Sequence, residues 1–127
     1  MVLWQKIVGL ALAGAAGTLA RFAVGRVVQQ WAGASFPWGT MCINISGCFL
    51  FGFFWALGGE RMVISSEARL LILTGFMGAY TTFSTFIFES SQMLADKEWL
   101  LVLANLSLQN VVGIALFFLG LFLGRWI

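Results

Sequence analysis

Histidine is missing from the 127 residues, charged side chains make up only 9%, and Pro37 is the one proline. Without histidine the chain lacks the commonest metal ligand and general base. A soluble domain carries about a quarter charged residues. A chain this short, folding alone in water, has too little interior to hide a composition that is 61% hydrophobic. A soluble enzyme and intrinsic disorder are both excluded, and an integral membrane protein is indicated. The two cysteines, Cys42 and Cys48, share one apolar segment. On a helix they point to different faces, so they read as small apolar packing residues rather than a bridge. The net charge of +2 is too slight to indicate a nucleic-acid partner.

What the chain does have is apolar length. A spanning helix takes about 20 mostly apolar residues, and four stretches qualify. The first runs from Ile7 to Val28 and contains Arg21 and Arg26. The second lies within Trp31–Gly59, which has no charged residue. As one helix that window would be about 44 Å long, more than the hydrocarbon core, so its first part is loop. Pro37-Trp38-Gly39 marks a helix start near Thr40. The third stretch is Leu70–Phe88 and the fourth Trp99–Gly124. Short connections leave no room for an extramembrane domain. The expectation is an all-α integral membrane fold, one domain over residues 1–127, with helices at about 4–29, 40–58, 68–94 and 99–125. Lys6 followed by Ile7–Ala20 has the layout of a signal peptide. The apolar pattern, however, continues past Arg21 through Val24, so a retained first helix is expected.

An even number of spans puts both termini on one side, with Lys6, Arg61, Arg69 and Arg125; the other side has Arg26 and Lys97, with Arg21 nearer the middle. Orientation follows the Lys/Arg excess in cytoplasmic loops, and this excess is small. Insertion either way up, giving an antiparallel dual-topology dimer, and ordinary insertion with termini inside are both compatible with it.

Polar side chains at membrane depth are tolerated mainly against protein or along a watery path. Asn44, Ser46 and Gly47 fall near the middle of the second span, and Asn105, Ser107, Gln109 and Asn110 near the middle of the fourth. The third contains Gly75-Phe-Met-Gly78-Ala-Tyr-Thr81-Thr82-Phe83-Ser84-Thr85-Phe86. Any single Asn, Ser or Thr here can be helix glue, and Gly14, Gly17, Gly47 and Gly52 read as close-packing positions. As a set, these donors without a carboxylate suit an anion, with Arg21 at the approach; cation pores use Asp or Glu rings. Phe83 and Phe86 share a helical face and offer positively polarised ring edges. Glycines and successive hydroxyls weaken the third helix near its middle. Two such breaks meeting across a two-fold axis would present carbonyl oxygens to a hard cation, sodium better than magnesium.

The segment Gly75–Phe86, followed by Glu89, resembles the signature of the Fluc (CrcB) fluoride channels, with flanking matches at Gly14–Arg21, Gly39-Thr40 and Asn44-Ile-Ser-Gly47. The resemblance covers all four helices. It implies a fluoride-selective channel that exports fluoride passively across the cell inner (plasma) membrane. It also implies an antiparallel homodimer with two pores and a third helix broken near its middle. By the same resemblance Phe83 and Phe86 lie beside the pore, Asn44 and Thr40 face it from the second helix, and Ser84 and Thr85 supply hydroxyls. Asn105 and Gln109 line it from the fourth helix, Arg21 stands in the vestibule, and the Gly78 and Thr81 carbonyls hold a structural sodium ion (Na+). Gln109, Gly113, Ala79 and Tyr80 depart from the family pattern.

The alternative is a small multidrug-type four-helix secondary transporter, which needs an ionisable carboxylate within the bundle. The first helix has none between Ile7 and Gln29, and Glu89 is expected at a helix end. A structural assembly subunit would explain the glycines but not the Phe/Thr cluster at mid-membrane.

Overall fold

The computed structural model describes all 127 residues, Met1–Ile127. Helix α1 (Leu3–Ala32) is followed by α2 (Trp38–Trp55), whose last turns, Ala56–Glu60, widen to π-helical geometry. Helix α3 (residues 66–80) starts behind a Ser65 cap that accepts the Ala68 N–H at 3.2 Å, and turns π-helical over Leu70–Met77. After Thr81 and Thr82 comes α4 (Phe83–Ala95), and then α5 (Trp99–Trp126). The spans Leu3–Ala32, Trp38–Glu60, Ser66–Ala95 and Trp99–Trp126 are each long and apolar enough to cross a membrane, with mean hydropathies of 1.8, 1.7, 1.5 and 2.1. This is a multi-pass membrane protein.

Several boundaries lie outside the expected ones. Helix α1 continues to Ala32, and α2 begins at Trp38, directly after Pro37, rather than near Thr40. Gln29 explains how so short a turn closes. Its Nε2 donates to the Gly33 carbonyl at 2.5 Å and to the Phe36 carbonyl at 2.9 Å, and its Oε1 accepts the Gly39 N–H at 2.9 Å. One side chain thereby satisfies three backbone groups at the facing helix ends. Glu89, expected at a helix end, sits inside α4, because the helix carries on through Ser90 and Ser91 to Ala95. Both serine hydroxyls fold back on the helix, Ser90 to the Phe86 carbonyl and Ser91 to the Phe88 carbonyl.

Only 20 residues are buried, so most apolar side chains face outward, as they do when hydrocarbon is the solvent. A small core of Ile43, Leu73, Met77 and Tyr80 joins α2 to α3. Glycines set the closest approaches. A Cβ on Gly52 would strike the Phe117 carbonyl, one on Gly120 the Phe49 carbonyl, and one on Gly17 the Phe76 carbonyl. Helices α2 and α5 therefore touch backbone to backbone, as do α1 and α3. At the end that holds both termini, Arg125 grips Glu60 through Nε at 2.6 Å and Nη2 at 2.9 Å, and the amino terminus meets Glu67 at 3.4 Å.

Candidate functional site

The third span loses its helical backbone at Thr81 (φ −82°, ψ 160°) and Thr82 (φ −150°, ψ 119°), both extended. Backbone freed at membrane depth needs partners within the protein, and Asn44 on α2 supplies them. Its Oδ1 accepts the Thr82 N–H at 2.9 Å and its Nδ2 donates to the Thr82 carbonyl at 3.0 Å. The asparagine side chain thus stands in for a strand neighbour. On the far side of the break, the Thr82 hydroxyl caps α4 by accepting the Thr85 N–H at 3.3 Å, and it donates to the Thr85 hydroxyl at 3.0 Å.

From Asn44 the hydrogen bonds continue across the bundle. Asn44 Nδ2 donates to Gln109 Oε1 at 2.7 Å, Gln109 Nε2 to Asn105 Oδ1 at 2.8 Å, and Asn105 Nδ2 to Ser90 Oγ at 2.9 Å. Asn105 is wholly buried, and Gln109 nearly so. One turn before Asn44, the buried Thr40 donates to Glu89 Oε1 at 2.7 Å, while Glu89 Oε2 is buried without a partner. The Tyr80 hydroxyl meets Ser46 Oγ at 2.9 Å and so fastens the end of α3 to α2.

Beside this network lies a groove of about 310 Å³, with Asn44, Thr81, Thr82, Phe83, Phe86 and Gln109 among its lining residues. The Phe83 and Phe86 ring centroids are 5.8 Å apart at 53°. Phe86 is packed inside, whereas Phe83 is 74% exposed on the single chain. No acidic or basic side chain lines the groove. The environment is one of neutral amides, hydroxyls and aromatic rings with no carboxylate, which suits a small anion better than a cation.

The model of the family described as CrcB-like protein, Camphor Resistance (CrcB), matches residues 8–121. The chain belongs to the CrcB-like family. Among its curated relatives is the fluoride-specific ion channel FluC of Nitrosococcus oceani, 58% identical over 118 residues, which are 93% of this chain and 94% of the relative. That of Solidesulfovibrio magneticus is 56% identical over 97% of this chain and 98% of its own length, and that of Aquifex aeolicus 42% over 94% and 96%.

On this CrcB-like scaffold the sequence-predicted residues divide into groups. Asn44, Phe83, Phe86, Gln109 and Thr81 come together at the groove. Asn105 and Thr40 stand behind it, buried and bonded to Gln109 and Glu89 respectively. Ser84 and Thr85 face outward beyond the cap, as does Gly78 on the other side of the break. Arg21 is half-buried, its Nη1 a long 3.5 Å from the Thr81 carbonyl. The site residues expected from the sequence did not include Gly47, Cys48, Phe51, Thr82, Asn110 and Phe117, which also line the groove. Asn110 was visible as a mid-span amide next to Gln109 and Thr82 as part of the Gly75–Phe86 segment; Gly47, Cys48, Phe51 and Phe117 carry no signal that separates them from ordinary packing. Ser90, the hydroxyl at the end of the amide chain, was not singled out either.

Proposed function

We propose that this chain is a fluoride-selective channel, working as an antiparallel dual-topology homodimer in the cell inner membrane and letting fluoride leave down its gradient. One observation carries the reading: a groove of neutral donors and paired phenylalanines beside a broken span, in a chain closely similar to proteins named fluoride-specific ion channels. Fluoride is small and strongly hydrated, so a pore that passes it replaces water with fixed donors and lets go again at each step. In this reading Asn44, Gln109, Ser84, Thr85 and the edges of Phe83 and Phe86 form the path. Thr40 and Asn105 hold it in shape, and Arg21 draws anions to its mouth.

A second copy is favoured by what the single chain leaves outside. Phe83, Ser84 and Thr85, together with Thr74 and Gly78, are exposed at membrane depth, where hydrocarbon offers hydroxyls nothing. A structural sodium fits the same face. The N–H that an unbroken helix would bring to the Gly78 carbonyl is that of Thr82, and it goes to Asn44 instead. The Thr81 carbonyl receives only the long Arg21 contact. These are neutral oxygen donors of the kind a hard monovalent cation accepts, and a bound sodium would supply fixed positive charge between the copies.

The carrier reading has one observation in its favour, the half-buried Glu89 carboxylate, whose Oε2 is enclosed without a partner. A single experiment separates the two. Purified protein is reconstituted in fluoride-loaded vesicles with the counter-ion clamped by an ionophore. Rapid fluoride loss with chloride retained supports the channel. Loss that requires a proton gradient and a lipophilic cation supports the carrier, and vesicles as tight as empty ones refute both.

A further inference from the structure

The orientation of the Asn44, Gln109 and Asn105 amides follows from one backbone group. The Thr82 N–H is a donor and nothing else, so the Asn44 atom facing it at 2.9 Å is the oxygen. Asn44 Nδ2 is then the atom that faces Gln109, which must present its own oxygen. Gln109 Nε2 in turn faces Asn105 Oδ1, Asn105 Nδ2 faces Ser90, and the Ser90 hydroxyl donates to the Phe86 carbonyl at 2.8 Å. The bonds run head to tail from the start of α4, through α2 and α5, back to α4 one turn later. Chains of this kind strengthen each member.

Both hydrogens of Asn44 Nδ2 are engaged, one by Thr82 and the other by Gln109. An anion arriving at Asn44 meets no free N–H there. It gains one only by displacing the Gln109 oxygen, because the Thr82 pair fills the backbone gap of the break. We infer that Gln109 is a positioning residue that sets how tightly the pathway holds fluoride, by occupying the Asn44 hydrogen that an entering anion would take. The inference rests on the fluoride reading above. It assigns Gln109 the role of a competitor for the donor rather than that of a ligand.

Planar-bilayer recording of the reconstituted full-length protein tests it, with fluoride conductance followed against fluoride concentration. Gln109→Met keeps the length of the side chain and removes the acceptor, together with the donor to Asn105 Oδ1. The half-saturating fluoride concentration should fall about fivefold, the factor one net hydrogen bond represents, with chloride still excluded. Gln109→Glu keeps an acceptor for Asn44, so its half-saturating concentration should stay where it is or rise. A merely structural role would lower the maximal conductance of both variants without moving half-saturation. That result, or a shift of both variants in the same downward direction, overturns the inference. If Gln109→Met does not fold, Gln109→Ser, too short to reach Asn44, carries the same expectation. Wild-type protein that passes no fluoride would overturn the functional reading itself, before any variant is compared.

Discussion

Gly120→Ala tests how the two halves of the site are brought together. The new methyl would collide with the Phe49 carbonyl oxygen and lie 3.0 Å from both the Phe49 carbonyl carbon and the Phe53 nitrogen. Unstrained contacts of this kind need about 3.5 Å. The obstacle is helix backbone, not the flexible end of a side chain, so α2 and α5 must part by roughly 1 Å. Overpacking of this sort costs about 1–3 kcal/mol. The parting also stretches the 2.7 Å Asn44–Gln109 bond toward the limit of hydrogen-bond geometry, so fluoride flux should fall with stability. Gly14→Ala is the control: its methyl would meet only the Gly75 carbonyl at 3.8 Å and the Ala79 methyl at 4.0 Å. With room for its methyl in the middle of α1, this change should leave stability unchanged or raise it by up to about 1 kcal/mol, the helix preference of alanine over glycine. Thermal or denaturant unfolding in detergent micelles, paired with vesicle efflux, reads both quantities. If Gly120→Ala unfolds at the same point as Gly14→Ala and conducts as well, backbone contact does not hold α2 against α5.

Phe83→Ile and Phe86→Ile, which keep apolar bulk but remove the ring edges, should each slow or stop fluoride efflux while size-exclusion profiles stay those of the folded wild-type protein; undiminished flux would make the rings packing residues. Asn44→Ala, which strips both partners from the Thr82 backbone and one from Gln109, should lower efflux as well, and unchanged flux would remove Asn44 from the path. Tyr80→Phe deletes only the bond to Ser46. It should cost about 0.6 kcal/mol and at most 1–2, with efflux unchanged, as judged by denaturant midpoint and vesicle assay.

The four apolar spans were legible because hydropathy and length are local properties, and Ile7–Val28 or Trp99–Gly124 declare themselves without reference to anything else. The helix ends were less legible. Gln29 closes its turn through residues up to ten positions away, so α1 runs on to Ala32, past its expected end near residue 29, whereas the end of the third span at Ala95 lies within a residue of the expected one. At the site, the choice of Asn44, Phe83, Phe86 and Gln109 as neighbours rested on spacing and family resemblance, and these four do line one groove. Which amide faces which could not be read from spacing. It depends on Gly52 and Gly120 letting two distant helices touch. For that reason Asn105 turned out to lie fully enclosed behind Gln109 instead of on the groove wall.

The tie that Gln29 makes between the first two spans has a consequence beyond holding them together. Because Gln29 meets three backbone groups of the elbow from within the chain, those groups ask nothing of the phosphates, amines or water that surround them. On the dual-topology proposal above, that tie serves equally well in the outer or the inner leaflet.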